Sequence, residues 1–404
     1  MSEPEIDAGA AVARLRASMA PRTDTEVCPL AAAGQRVLAA DVVAMLDVPA
    51  FDNAAMDGYA VRARDCASGE GLRVVGRALA GHPFPGSLES GQAVRIMTGA
   101  AVPAGADAVV MLEDTHIDND RVHFGQVPGA GLNIRPRGEH VRAGSTVLTR
   151  GRRLRAYDLG LAAAAGVSEL TVMRTLKVGV LSTGDELHDP PHAVRPAGQY
   201  DGNRPMLLAL IRHAGFEALD LGIVADRDDT LAERLKAAAA LDLDAVISSG
   251  GVAEGDADIV RRFPALKFVP LALRPGRGIV CGRLDAKGQG LWFFGLPGNS
   301  VAAYVMIQLV VMPLLLHLTG AVPEAPLTLQ MPLAVDTRAR LGRVDWQRGR
   351  FVRHDGVLAV EPLPQQGSSL LRALSMADAL VAIGPQASFS AGDRVDVIPL
   401  AALP

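Results

Sequence analysis

The chain contains 404 residues, of which 49% are hydrophobic and 21% are charged, and its formal net charge is -4 at pH 7. This length and apolar content predict two or more folded domains and exclude a disordered chain. Because the net charge is slightly negative, no overall field attracts nucleic acid or an acidic membrane surface, and we expect neither as a partner.

The cysteines and the first residues give no sign of secretion. Cys28, Cys66 and Cys281 form no CxxC pair, so we expect small buried thiols rather than a disulfide framework or a zinc ribbon. Residues 1–11 carry acidic side chains and no basic region followed by an apolar stretch, unlike a secretory signal. We therefore expect a cytoplasmic protein.

Residues 1–175 are predicted to form a helical and β-rich N-terminal region. Helical stretches at Ala8–Ala20 and Ala156–Gly166 flank a segment with many Gly and Pro residues. Short β-like runs in this segment are Ala93–Met97, Ala108–Leu112 and Arg121–Phe124. We predict a small β-rich domain inserted at about residues 45–150, with the two helices packed together beside it.

Residues 176–322 alternate apolar strands with helices, which is the pattern of a doubly wound α/β sheet. The predicted strands are Lys177–Ser182, Phe216–Val224, Asp244–Ser248 and Leu291–Gly295, and the predicted helices are Arg204–His213, Thr230–Ala240 and Val301–Leu318. Ligands of such sheets bind where strand ends meet helix starts. The loops at Gly184, Gly251 and Gly298 occupy that position.

Val301–Leu318 is the best candidate for a membrane span in the sequence. Gln308, Pro313 and His317 interrupt it, and its apolar runs are shorter than the ~20 residues that a span requires. We therefore predict a buried helix.

Residues 323–404 are predicted to form a C-terminal β-barrel domain. Apolar runs suited to strands are Leu327–Val335, Val357–Val360, Ala379–Ile383 and Arg394–Ile398. About 80 residues are close to the minimum for an independent core. The overall prediction is an α/β plus β multidomain protein.

Three loops of the α/β region suit phosphate. Thr183-Gly184, Gly250-Gly251 and Gly298-Asn299 follow strands, so their backbone N–H groups and the next helix favour an anion. No nucleotide-binding fingerprint of the GxxxxGK[ST] or GxGxxG type is present. Each loop alone can be a tight turn, but three converging loops favour a binding site.

Acidic residues recur in the same loops. They are Asp185 and Glu186, then Asp226, Asp228 and Asp229, then Glu254, Asp256 and Asp258. Carboxylates beside a phosphate suit Mg²⁺, which prefers oxygen ligands. Helix capping is the alternative interpretation, and we favour it for Asp228 and Asp229.

Arginines form two further groups. Arg274-Pro275-Gly276-Arg277 follows an apolar strand, and Gln347-Arg348-Gly349-Arg350 lies in the C-terminal region. Arginine forks suit tetrahedral oxyanions. A charged turn is an equal alternative at both places, and the histidines form no metal-binding pair.

With these motifs in place, the whole chain resembles the molybdopterin molybdenumtransferase family, which includes the bacterial MoeA proteins and the gephyrin E domain. The motifs that carry the resemblance, in order, are Asn53–Ala60, Arg95–Gly99, Ala104–Val109, Asn133–Glu139, Ser182–Leu187, Ser248–Val252 and Gly295–Asn299. The resemblance implies a MoaB/MogA-like molybdopterin-binding domain between an N-terminal region with its insertion and a C-terminal β domain. It also implies a homodimer, with the molybdopterin adenylyltransferase as a further partner.

The reaction implied by the resemblance uses Mg²⁺, molybdate and adenylylated molybdopterin, and it releases AMP as molybdenum is inserted. By motif, the family's active-site positions fall on Asp57, Thr98, Glu186, Asp226, Asp258, Arg274, Arg348 and Ser368. Glu186 and Asp258 are implied to bind Mg²⁺ or the pterin, whereas Thr183, Gly184, Gly250, Gly251, Arg274, Pro275, Arg277, Gly298, Asn299, Arg348 and Ser368 are implied to bind molybdopterin or molybdate. Asp57 and Thr98 are expected to reach the cleft from the other subunit.

The chain departs from the family pattern at several positions. Arginines replace lysines at Arg274 and Arg277, Gly278 replaces a proline, and a further family lysine falls on Pro270. His140 stands for an aspartate and Ser300 for a proline. Two other functions are therefore weighed: a molybdopterin adenylyltransferase, and a non-catalytic molybdopterin-binding or scaffold paralogue.

Overall fold

The computed structural model describes residues 4–253, 258–284, 290–323, 325–338, 342–354, 356–385 and 388–402. Within these residues, three six-stranded sheets account for most of the strands. They are called the inserted sheet, the central sheet and the C-terminal sheet. The sheets agree with the predicted α/β plus β fold class.

The segments on either side of the insertion are joined by strand pairing. Thr25–Pro29 runs antiparallel to Glu169–Met173, and Val42–Val43 runs antiparallel to Thr146–Leu148. The flanking helices are Ala8–Arg16 and Ala156–Ala164, and they belong to separate hydrophobic cores. The expectation that these two helices pack together was wrong, because the first packs on the long apolar helix instead.

The inserted sheet lies within residues 58–124. Its strands, in spatial order, are Ala108–Met111, Gly58–Val61, Gln92–Ile96, Leu72–Ala78, Arg121–Phe124 and Thr115–Asp118. A small pair, Asn53–Ala54 with Ile134–Arg135, lies beside it. Short 3₁₀ turns at Ala63–Ser68 and Leu112–Asp114 connect the strands, and a further 3₁₀ turn in the N-terminal region is Leu30–Ala32. The β-rich insertion is thus present where the short runs predicted it.

The central sheet contains four parallel strands, then one strand antiparallel to them, and then an edge strand antiparallel to that one. In spatial order they are Glu217–Val224, Lys177–Thr183, Ala245–Ser249, Leu291–Leu296, Gly278–Leu284 and Leu266–Pro270. Alternate residues of one strand enter different cores, with Val180 on one face and Leu181 on the other. Burial on both faces explains the continuous apolar runs of these strands.

Helices cover the two faces of the central sheet. They are Asn203–His213, Asp228–Ala239, Ile259–Arg262 and the long helix formed by Ser300–Met306, Ile307–Val311 and Met312–Leu318. The middle part of the long helix has π geometry. Although this helix is apolar and long enough to cross a membrane, most of it is buried inside the protein. The prediction of a buried helix is confirmed.

The C-terminal sheet closes on itself. Its ordered strands are Leu273–Arg274, Val344–His354, Ala379–Ile383, Arg394–Pro399 and Leu329–Pro332, and Val357–Pro362 pairs with Val344–His354. A bridge between Leu333 and Val360 joins the first and last parts of this arrangement, as in a barrel. Smaller elements nearby are the pair Thr337–Arg338 with Ser388–Phe389, the helix Leu371–Ser375 and the turn Leu400–Ala402.

Candidate active site

A cleft of about 1100 Å³ lies at the carboxyl ends of the parallel strands of the central sheet. Three of its borders are the loops that begin at Thr183, at Gly250 and at Pro297. Such strand ends are where open α/β sheets hold their ligands. The loops that the sequence singled out therefore meet in one place.

The floor of the cleft is formed by glycine backbone, and a side chain at these positions would collide with neighbouring atoms. At Gly250, φ is +100°, and a Cβ atom would lie 2.6 Å from the carbonyl oxygen of Thr183. At Gly251, a Cβ atom would lie 3.0 Å from Thr183 Oγ1. That hydroxyl is buried and has no hydrogen-bond partner among the described residues. A buried, unsatisfied donor in the wall of a cleft is suited to a polar ligand.

The acidic side of the cleft carries Glu186, Asp226 and Asp258. The backbone N–H groups of Asp185 and Asp226 each donate to the other residue's carboxylate, at 3.3 and 3.2 Å. Burial raises the pKa of Asp226, and the nearby charges of Asp185, Glu186 and Asp258 raise it further. Negative charge is therefore concentrated around Asp226.

No group of three His, Cys, Asp or Glu side chains within the described residues is arranged to hold a metal ion alone. Of the other predicted acidic residues, Asp228 pairs with Arg262 at 3.1 Å, and Asp229 accepts from the N–H of Thr230 at 2.8 Å. Both lie in the first turn of a helix, which fits their predicted structural role. Glu254 and Asp256 lie outside the described residues.

Basic side chains and one aromatic ring, together called the basic side, also line the cleft. Lys267, Arg277, Arg261 and Arg343 line it together with Phe268. The Arg261 guanidinium lies 4.1 Å from the centre of the Phe268 ring. Arg343 is held by Glu5, which accepts from its Nε at 2.6 Å.

Sequence reasoning named only Arg277 among these cations. Lys267 lies on the edge strand Leu266–Pro270, three residues before the position of the missing family lysine. This proximity could have identified Lys267 as a candidate cation of the site. For Arg343, no sequence pattern indicates the pairing with Glu5, because 338 residues separate them.

Three predicted oxyanion ligands, Arg274, Arg348 and Ser368, are not among the described residues that line the cleft. Arg274 and Pro275 lie on the segment that leads to Gly276 and Arg277, which do line it. Arg348 belongs to the strand Val344–His354 rather than to a turn, and it is 1% exposed. Burial lowers the pKa of Arg348. Direct contact of either arginine with molybdate stays a prediction.

Arg348 supports the loop that contains Ser368. Its Nη2 donates to the carbonyl oxygens of Gln365 and Gly367 at 3.3 and 3.2 Å. The carbonyl oxygen of Ser368 accepts from the N–H of Val301 at 2.9 Å. The loop of the C-terminal sheet is thereby fixed to the helix that follows Gly298 and Asn299.

Asp57 and Thr98 form a pair on the inserted region. The backbone N–H and the hydroxyl of Thr98 both donate to Asp57 Oδ1 at 2.7 Å. These hydrogen bonds hold the pKa of Asp57 below its usual value, and the bond from the hydroxyl has a larger effect than the bond from the backbone. Neither residue is among the described residues that line the cleft of the same chain.

Comparisons with known proteins cover nearly the whole chain. Residues 6–166 match the MoeA N-terminal region (domain I and II), residues 179–317 a probable molybdopterin binding domain, and residues 330–400 the MoeA C-terminal region (domain IV). The molybdopterin molybdenumtransferase of Haemophilus influenzae is 36% identical over 385 residues, which is 93% of this chain and 94% of the relative.

Further relatives agree with these matches. The molybdopterin molybdenumtransferase of Staphylococcus epidermidis is 32% identical, over 90% of this chain and 88% of the relative. The crystal structure of the molybdopterin biosynthesis MoeA protein from Pyrococcus horikoshii OT3 superposes with a TM-score of 0.81 at 27% identity, and it covers 98% of this chain and 100% of that one.

Proposed function

Because the chain belongs to the MoeA family of molybdopterin molybdenumtransferases, we propose that it inserts molybdenum from molybdate into adenylylated molybdopterin and releases AMP. One observation carries the proposal: carboxylates, cations and a glycine floor all line one cleft of the central sheet. A phosphorylated pterin and a small oxyanion need these three surfaces together.

The floor binds the phosphates of the substrate in this proposal. The backbone N–H groups of Gly251 and Gly298 face the phosphate oxygens, and the unpaired hydroxyl of Thr183 adds a donor. The N–H of Gly250 already donates to the carbonyl oxygen of Leu296, so Gly250 contributes the open backbone that lets the phosphate approach. Thr183, Gly184 and Asn299 complete the contact with the pterin half. Catalysis of this kind of transfer depends mainly on positioning and electrostatics.

Glu186 and Asp258 hold Mg²⁺ in this proposal, with Asp226 beside them. Their carboxylate oxygens are the ligands that Mg²⁺ prefers, and the neighbouring negative charges that help to raise the pKa of Asp226 favour a bound cation. Because no three such side chains among the described residues are grouped to hold a metal ion, oxygen atoms of the substrate would be needed beside these two carboxylates. Bound Mg²⁺ supplies charge neutralisation for cleavage of the pyrophosphate bond.

Molybdate approaches from the basic side. Arg277 lines the cleft, and Arg274 and Pro275 shape the segment before it. Lys267 supplies an ammonium group on the same side. Arg348 and Ser368 act through the loop at residues 365–368, which is fixed to the start of the long helix.

A homodimer completes the site in this proposal. Asp57 and Thr98 are paired and carry a negative charge, but the cleft of their own chain does not include them. In a two-fold symmetric dimer, the second copy brings its own Asp57 and Thr98 to the cleft of the first copy, and the reverse contact forms the second site. A cytoplasmic location and delivery of the substrate by an adenylyltransferase belong to the same proposal.

An assay with purified chain tests the function. Adenylylated molybdopterin, molybdate and Mg²⁺ are incubated with the protein, and AMP is measured together with molybdenum bound to the pterin. We expect AMP in proportion to inserted molybdenum. A parallel incubation contains ATP and molybdopterin instead. Consumption of ATP there without AMP release in the first incubation would indicate an adenylyltransferase, and no reaction in either would indicate a scaffold protein. Either result rejects the proposal.

A further inference from the structure

Asn203 lies behind the floor of the cleft and is 8% exposed. It is the first residue of the helix Asn203–His213. Its side-chain Nδ2 donates two hydrogen bonds, to Ser249 Oγ and to the carbonyl oxygen of Gly298, both at 2.7 Å. One amide group therefore uses both of its protons to hold two different loops.

The two loops are the ones that carry the glycine floor. Ser249 precedes Gly250 and Gly251, and its hydroxyl passes the interaction on to the carbonyl oxygen of Pro297 at 3.4 Å. The N–H of Gly250 donates to the carbonyl oxygen of Leu296 at 3.0 Å. The loops are close enough that a Cβ atom on Gly298 would lie 3.6 Å from Gly250 Cα. The spacing between them is therefore fixed from below by Asn203.

Asn203 is itself held rigidly. Asp201 Oδ1 accepts from the N–H groups of Asn203 and Arg204 at 3.0 and 3.1 Å. The guanidinium of Arg204 also binds Asp201, Asp189 and Asp220, which connects the brace to the next strand of the sheet. A buried network in which the members are paired holds one geometry better than a single contact does.

We propose that Asn203 is a positioning residue that sets the distance between the Gly250–Gly251 and Gly298 loops and thereby the affinity of the floor for the diphosphate part of the substrate. The inference rests on the proposed function, because it takes phosphate as the occupant of the floor. Leucine has nearly the shape of asparagine but no donor, so Asn203→Leu leaves two acceptors without a partner.

Binding of inorganic pyrophosphate, measured by calorimetry in the presence of Mg²⁺, tests the inference without requiring turnover. We expect Asn203→Leu to weaken pyrophosphate binding by about tenfold, and Ser249→Ala, which removes one of the two contacts, by about threefold. In turnover, we expect the KM for adenylylated molybdopterin to rise while the KM for molybdate stays within about twofold.

The matched control is Gln308→Met, which removes another buried amide, on the long helix rather than beneath the loops. It should leave pyrophosphate binding unchanged. Equal loss in the control, or unchanged binding in a folded Asn203→Leu protein, would overturn the inference. Should Asn203→Leu fail to fold, Ser249→Ala decides, because unchanged pyrophosphate binding in that variant also overturns it.

These readouts separate the inference from the proposed function. If the wild-type protein binds pyrophosphate but releases no AMP, the proposed function fails while the role of Asn203 stays testable. If AMP is released and Asn203→Leu binds pyrophosphate normally, the inference fails alone.

Discussion

At the scale of single residues, the carboxylates of the cleft repel one another. Asp226 is partly buried beside Asp185, Glu186 and Asp258, and its pKa is raised by burial first and by these charges second. A carboxyl with a raised folded pKa contributes stability that is fully present below its ordinary value of 3.8 and is lost as the pH rises through the folded value. At neutral pH, Asp226 therefore destabilises the fold.

We predict that Asp226→Asn raises the melting temperature at pH 7 by roughly 1–3 °C and lowers AMP release. The gain in melting temperature should shrink as the pH falls toward 4, because wild-type Asp226 then takes up its proton. Asp229→Asn is the control: its carboxylate is paired with Arg227, which holds its pKa low, so no gain is expected. A melting temperature at pH 7 that does not rise would contradict the charge argument.

Some site residues could be predicted from the sequence because they follow strands directly. Glu186, Gly250 and Gly298 do so, and the structure places all three at the cleft. Asn203 could not be predicted, since its role depends on acceptors 46 and 95 residues away in the chain. The burial of Arg348 could not be predicted either, because it depends on a strand that the charged segment around it did not indicate.

One departure from the family pattern has a steric reason. A Cβ atom at Gly278 would lie 2.3 Å from the carbonyl oxygen of Val269 and 2.7 Å from the Phe268 ring. The proline expected at this position does not fit beside that ring.

At the scale of elements, the junction between the N-terminal region and the central sheet depends on Asp244. This carboxylate is buried just before the strand Ala245–Ser249. It accepts from Arg22, from Arg174 at 2.8 Å and from the N–H of Lys177 at 2.7 Å. Arg22 lies in the N-terminal region, whereas Arg174 lies just before the strand Lys177–Thr183 and Lys177 begins it, so Asp244 fixes the start of the sheet to the N-terminal region.

We predict that Asp244→Ala lowers the melting temperature by roughly 4–8 °C, because two partly buried arginines and the N–H of Lys177 lose the acceptor that they share, at a cost of about 2 kcal/mol. The control Asp242→Asn removes an exposed carboxylate 3.5 Å from Lys177 Nζ and keeps a residue type that tolerates the left-handed backbone at this position, and its effect should stay below about 1 kcal/mol. Equal melting temperatures for the two variants would show that Asp244 does not support the junction.

Elements with a strong period could be predicted from the sequence, and those that depend on tertiary pairing could not. Arg121–Phe124 and Ala379–Ile383 have the predicted bounds. The strand Val344–His354 was not predicted, because its Gln-Arg-Gly-Arg sequence lacks an apolar alternation. Similarly, Leu273–Arg274 forms a strand only because Val344 and Asp345 pair with it.

At the scale of the whole molecule, the predicted boundaries at 175/176 and 322/323 separate the sheets well but not completely. Leu273–Arg274 joins the C-terminal sheet although it lies within the α/β segment. Glu5 pairs with Arg343, and Ile6 forms a bridge with Leu271. The boundaries stay a proposal. These contacts show that the predicted regions are packed against one another.

The central claim is that one reaction site combines the carboxylates of the central sheet with Asp57 of a second copy. AMP release by Glu186→Gln, by Asp57→Asn and by the two variants refolded together tests it most directly. Each variant alone should be inactive, and the mixture should recover roughly a quarter of wild-type activity, because half of the dimers are mixed and each holds one intact site. Full activity in either variant alone, or no recovery in the mixture, would contradict the account.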